Sequence, residues 1–130
     1  MAKSLDLKIV SSGPAAATLV VNGRVDGETS IEFSKLVKSL TEKKALKLVV
    51  NMAKCNYVSS AGISAFFDLR KKVQAKQGVV SFCNLQPQIK KVFEIVKALP
   101  LECVFSNAAE ADAYLDRMMT EELKKNSPKK

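Results

Sequence analysis

Apolar and polar residues alternate along Leu5-Asp6-Leu7-Lys8-Ile9-Val10-Ser11, the period-two pattern of a half-buried strand, and Ser12-Gly13-Pro14 supplies turn chemistry behind it. Ala17-Thr18-Leu19-Val20-Val21-Asn22 is apolar at nearly every position. A second, more buried strand is therefore predicted, antiparallel to the first, with Gly23-Arg24-Val25-Asp26-Gly27 as the turn that closes the pair. The period then changes. Phe33, Leu36, Val37 and Leu40 recur at i, i+3, i+4 and i+7, the mark of an amphipathic helix. Thr29-Ser30-Ile31-Glu32 has the form of a capping box at its start, and Lys43-Lys44 stands where positive charge suits its end.

Leu46-Lys47-Leu48-Val49-Val50-Asn51 reads as the next strand, and strand–helix–strand implies a parallel pair with a right-handed crossover. A helix carrying Ile63, Phe66, Phe67 and Val73 on its apolar side runs to Gly78, with Arg70, Lys71, Lys72 and Lys76 on a solvated polar side. Residues 79–84 form a further parallel strand, and Pro87 suits the first turn of a helix bearing Ile89, Val92, Phe93 and Val96. A short edge strand follows at 101–105. Asn107-Ala108-Ala109-Glu110 caps a last helix with Ala111, Tyr114, Leu115 and Met118 on one face. The order β-β-α-β-α-β-α-β-α describes an α/β fold, a mixed sheet of about five strands with about four helices packed on it. One domain is expected over residues 1–123, with 124–130 a basic, disordered tail.

Composition narrows the chemistry. A chain of 130 residues with 47% hydrophobic content has room for one real core. Neither a membrane-length apolar run nor a signal-peptide pattern is present, so a cytoplasmic location is expected. Cys55, Cys83 and Cys103, odd in number and widely spaced, read as buried small hydrophobes in a reducing compartment. Histidine is absent, which removes Ser-His-Asp and Cys-His catalysis and His-ligated metal. A serine hydrolase is excluded further because no Gly-x-Ser-x-Gly surrounds either Ser59 or Ser60. The net charge of +8 is spread along the chain and aromatics are only 6%, a pattern of solvated basic surface or an acidic protein partner before one of nucleic-acid binding.

Function is expected at Asn56-Tyr57-Val58-Ser59-Ser60-Ala61-Gly62-Ile63-Ser64, where a hydroxyl pair and a glycine separate strand from helix. The first backbone N–H groups of a helix lack partners, and the dipole makes that end partly positive. One reading is a plain N-cap by Ser59 or Ser60, worth about 1 kcal/mol relative to alanine. The other divides the work: one hydroxyl caps, while its neighbour faces solvent and can carry a phosphate beside amides that tolerate negative charge. Spacing alone leaves both open. Asn51 is expected to tie the following loop through its side chain, Gly62 to allow close approach of helix and loop, and Phe66 and Phe67 to be core. Asp26 reads equally as a contact residue at the same end of the sheet and as a turn or cap aspartate.

From about Leu5 to about Leu123 the chain resembles the STAS domain family, named for sulphate transporters and antagonists of anti-sigma factors. The resemblance rests on Asn51-Met52-Ala53-Lys54-Cys55-Asn56-Tyr57-Val58-Ser59-Ser60-Ala61-Gly62, similar to the family's strand end, seven-residue loop and small-Ser-small-Gly helix start. Gly23-Arg24-Val25-Asp26 resembles its Gly-x-Leu/Val-Asp turn, and Asn84-Leu85-Gln86-Pro87 its Asn-Leu-x-Pro helix opening. It implies a bacterial anti-sigma factor antagonist: a non-enzymatic binding module, without cofactor or metal, in a partner-switching pathway. The implied partners are an anti-sigma factor or related serine kinase with a GHKL-type ATP site, and a phosphatase. Aligned on Gly62, the implied phosphoacceptor is Ser60, with Ser59 second, and phosphorylation there would prevent binding. Asp26, Ser59, Ser60, Ala61 and Gly62 form the implied partner face. Ser59 stands where many phosphorylated members have aspartate, and Ala61 where a second serine often follows. The alternative is a STAS subunit of a membrane transporter or lipid-transport complex that is not switched by phosphorylation, its basic surface facing a partner or anionic lipid.

Overall fold

A computed structural model describes residues 5–13, 15–40, 42–96 and 104–125. Cys103, the first three residues of the expected last strand and residues 126–130 of the expected tail lie outside them. The chain runs β1 (Leu5–Gly13), β2 (Ala16–Val25), α1 (Ser30–Leu40), β3 (Lys47–Val58), α2 (Ser60–Ala75), β4 (Val79–Cys83), α3 (Pro87–Val96), β5 (Val104–Phe105) and α4 (Ala108–Lys125). This is the expected order of elements. The strands form one sheet in the order β1-β2-β3-β4-β5; β1 is antiparallel to β2, and every later pair is parallel.

Alternation does what it should in the hairpin. Ala17, Leu19 and Val21 of β2 turn to the core, opposite the Leu5, Leu7 and Ile9 side of β1. On that face α1 contributes Phe33, Val37 and Leu40, α2 contributes Ala65, Phe66, Leu69 and Val73, and α3 contributes Ile89 and Phe93. Phe66 is the hub, with its ring 4.8 Å from Phe33, 6.1 Å from Phe82 and 5.9 Å from Phe93, each edge to face. Helix α4 covers the opposite face, where Ala111 and Leu115 pack on Val49, Val79 and Cys83. Ser81, fully buried there, places its hydroxyl on the Ala111 carbonyl at 3.2 Å.

Four boundaries differ from the sequence pattern. Gly23, Arg24 and Val25 do not close the hairpin; they are the last residues of β2, paired with β3 as far as Val58. Residues 52–58 are accordingly strand and not the expected loop. Two irregularities, between Val20 and Asn22 and between Gly23 and Arg24, each insert one extra residue on β3. Their effect is visible in burial: Leu48, Val50 and Met52 face the core at intervals of two, then Cys55 and Val58 at intervals of three. Each bulge resets the phase so that the polar residues Lys54 and Asn56 stay outside. Helix α1 ends at Leu40, ahead of Lys43-Lys44, and the Lys43 amide caps it by donating to the Leu40 carbonyl at 3.2 Å.

Helix α2 ends at Ala75, short of Gly78, and the left-handed residue that follows it is Gln77 (φ 61°). Gly78 is needed for space, since a Cβ there would lie 2.6 Å from Val73 Cγ1 and 2.7 Å from the Leu46 carbonyl.

Candidate functional site

The carboxyl ends of β2 and β3 lie side by side, with Val25 opposite Val58, and each strand feeds a helix on the same face of the sheet. The Ser59 amide donates to the Val25 carbonyl at 2.9 Å, so the second helix starts from the end of the neighbouring strand. Ser59 has extended backbone (φ −86°, ψ 177°), and its Oγ accepts the Gly62 amide at 3.3 Å. It is the N-cap, half-buried. Ser60, the first helical residue, is exposed, as is Ala61. The two hydroxyls, equivalent by spacing, thus have different surroundings: one is held by the helix and the other is open to solvent.

Gly62 is where the parts touch. A Cβ on it would come within 2.3 Å of the Val25 carbonyl oxygen and 2.9 Å of Val58 Cγ1, so only glycine lets α2 sit this close to β2. Asn51 takes the expected structural role: its Oδ1 accepts the Ala53 amide at 3.0 Å and the Asn84 side-chain amide at 3.2 Å. Asn84, in a left-handed conformation (φ 60°), also donates its backbone amide to Phe105 at 3.2 Å. It ties β3, β4 and β5 together where β4 ends.

Asp26 closes the turn between β2 and α1. Its Oδ1 accepts the amides of Glu28 and Thr29, each at 3.0 Å, and its Oδ2 takes the Arg24 guanidinium at 3.1 Å. The Thr29 amide foremost, helped by the Thr29 hydroxyl, the Glu28 amide and Arg24, holds its carboxyl below the usual range in spite of partial desolvation. The expected capping box at Thr29 does not form. The Thr29 hydroxyl turns back into the Asp26 loop, accepting the Asp26 amide at 2.9 Å and donating to the Arg24 carbonyl at 2.7 Å.

Two surface residues of the corner escaped sequence reading. Tyr57 is 48% exposed, and the Arg24 guanidinium lies 5.4 Å from its ring centre. Arg24 thereby joins Asp26 to Tyr57 across the mouth of the corner, and only the alternation of Gly23-Arg24-Val25 as strand would have turned it outward. Phe67 also differs from expectation: it is 40% exposed, with Lys71 Nζ 5.4 Å from its ring, while Phe66 is core. Cys55 and Cys83 are buried, and burial raises both thiols, as suits packing residues. Among the described residues no cluster of acidic or cysteine side chains is placed to hold a metal, and no helix is long and apolar enough to cross a membrane.

Residues 8–111 match the STAS domain family. The chain belongs to that family. BtrV of Bordetella bronchiseptica, a protein that its name assigns as an anti-sigma factor antagonist, is 27% identical over 93 residues, which cover 72% of this chain and 79% of that one. The anti-sigma factor antagonist SpoIIAA in its unphosphorylated form superposes with a TM-score of 0.72 at 15% identity, over 88% of this STAS chain and 97% of that protein. The phosphorylated form of the Bacillus protein gives 0.67 at 14% identity, over 86% and 98%. The murine anion transporter Slc26a9 gives 0.65 at 18% identity, over 79% of this chain but 18% of the transporter. At these identities the structures share the fold, a five-stranded mixed sheet with four helices.

Proposed function

We propose that this STAS protein is an anti-sigma factor antagonist whose binding is switched by phosphorylation of Ser60. The observation that carries the reading is the division between the serines: Ser59 is committed to capping α2 at 3.3 Å from the Gly62 amide, while Ser60 is exposed on the first turn. A phosphate on Ser60 would carry about −1.5 to −2 charges beside the positive end of α2, so the domain itself tolerates it without refolding. The cost falls on the partner, which must desolvate that charge or set its own acidic groups against it. Asp26, held in its turn, and Ser59, Ser60 and Ala61 make up the partner face, to which Arg24 and Tyr57 add an exposed cation and ring; Gly62, expected in that face, is buried against Val25 and Val58 and supports it from beneath. The partner is an anti-sigma factor or related serine kinase, with a phosphatase to reset the switch. The domain is its substrate and performs no catalysis of its own.

The test is to incubate the full chain with ATP and each anti-sigma-type serine kinase of the same genome, and to map phosphate by mass spectrometry. A single phosphate on Ser60, abolished in Ser60→Ala, together with weakened kinase binding by Ser60→Asp, is the expected result. Modification confined to Ser59 or elsewhere, or undiminished binding by Ser60→Asp, would overturn it. A second reading, a subunit of a membrane transport complex, draws on the likeness to the Slc26a9 domain and on the net charge of +8. Co-purification with a membrane complex in place of a kinase would favour it.

A further inference from the structure

Helices α1 and α2 lie against each other on one face of the sheet, and between their outer sides runs an open groove of about 750 Å³. Its floor and walls are Ile31, Ala75 and the side chains of Lys35, Lys38, Lys72 and Lys76, and among the described residues Glu42 is the one carboxylate lining it. Ile31 is 60% exposed at one end. The groove therefore offers an apolar strip, made of Ile31, Ala75 and lysine stems, bordered by ammonium groups. Ser30 stands at its end nearest the serine corner, its amide donating to the Asp26 carbonyl at 2.8 Å, while none of Ser59, Ser60, Ala61 and Gly62 lines it.

We propose that this groove seats an acidic amphipathic helix of a protein partner, with its apolar residues on Ile31 and Ala75 and its carboxylates paired with Lys35, Lys72 and Lys76. The match is one of charge and shape. Four lysines against one glutamate select an anionic ligand, and the apolar strip selects one with a hydrophobic stripe, which a nucleic acid lacks. A groove between two helices is the seat a third helix packs into, and alongside the 11 residues of α1 such a helix would span about 16 Å. The site stands on its own residues and does not depend on modification of Ser60.

The experiment uses the full chain, isotope-labelled for amide NMR. The probe is a synthetic helical peptide of about four turns, with leucines on one face and glutamates on the others. Comparison probes are the same peptide with lysines for glutamates, a random-sequence duplex DNA, and vesicles of phosphatidylcholine and phosphatidylglycerol in equal parts. The expected result is saturable binding of the Leu/Glu peptide that shifts the amides of Ile31, Lys35, Lys72 and Ala75. Binding should weaken about tenfold in Lys35→Glu with Lys72→Glu, and measurably in Ile31→Ser. The double variant is compared at equal urea midpoint, and Ile31→Ser, which removes no charge, serves where it folds poorly. Absence of saturable binding, equal binding of the lysine peptide, shifts confined to Tyr57–Ala61, or preference for vesicles or DNA lost with the same lysines would each overturn the proposal.

Discussion

The carbonyl oxygen of Val25 accepts the Ser59 amide at 2.9 Å and would lie only 2.3 Å from a Cβ on Gly62. The last residue of β2 thus fixes both the start of α2 and how closely it approaches, and the turn holding Asp26 is rigidly coupled to the turn presenting Ser60. Gly62→Ala must therefore move backbone and not merely a side chain. The expected loss is about 1–3 kcal/mol of unfolding free energy, the usual cost of overpacking a closed contact, measured by urea denaturation. The same variant should shift the amide resonances of Val25, Asp26 and Ser60 together. An unchanged urea midpoint would show that the contact has room to relax.

The serines are adjacent but should respond differently to removal. Ser59→Ala deletes the oxygen that accepts the Gly62 amide, and at 3.3 Å this cap belongs at the lower end of the usual range, about 0.5–1 kcal/mol. Ser60→Ala removes an exposed hydroxyl at a position where alanine suits a helix, so its effect should stay within about 0.5 kcal/mol. Ser60→Asp adds negative charge at the helix start and should stabilise by about 0.3–1 kcal/mol at low salt, an increment that fades as salt rises. Equilibrium unfolding of the three variants at two ionic strengths decides the matter. Equal losses for Ser59→Ala and Ser60→Ala would mean that the cap is shared.

The elements and their order were legible in the sequence because apolar periodicity changes between two and 3.6 at each boundary, and because Pro87 and Asn107 mark helix starts. Asn107 does cap α4, accepting the Glu110 amide at 2.9 Å. The far half of β3 was not legible. Two bulges break the alternation that identifies a strand, so Lys54-Cys55-Asn56-Tyr57 looks like a loop although Cys55 and Val58 are core. The same break concealed Arg24 and Tyr57, whose outward direction follows only from the bulged register. The two serines could not be separated by spacing either, since the cap is chosen by where the Val25 carbonyl holds the chain, a contact between residues 34 positions apart. Thr29 misled for a related reason: its hydroxyl had a better-placed partner in the Asp26 turn than in its own helix.

Adjacent phenylalanines on α2 make an internal control for core against surface. Phe66 is fully buried and in edge contact with three other rings, so Phe66→Ala should cost about 3–5 kcal/mol and come close to unfolding a domain of this size. Phe67, 40% exposed, contacts Lys71 at the surface, and Phe67→Ala should cost well under about 1 kcal/mol. Thermal unfolding of both variants side by side measures the contrast. Comparable losses at the two sites would place Phe67 inside the core, against its observed exposure.

Asp26 gives the acid limb of stability a specific signature. Its folded-state carboxyl lies below the ordinary value of 3.8, chiefly because the Thr29 amide bonds the ionised form. A depressed carboxyl contributes stability that is complete above the ordinary value and is lost as pH falls through the lower, folded one. Asp26→Asn keeps an oxygen for the Glu28 and Thr29 amides but cannot ionise, and it releases Arg24 from its 3.1 Å ion pair. The parent should therefore exceed Asp26→Asn in urea midpoint at about pH 6, with the difference shrinking as pH drops below about 4, where the other carboxylates titrate alike in both proteins. A gap that stays constant down to about pH 2, or widens on acidification, would mean that the Asp26 charge contributes nothing to holding the turn beside Ser60.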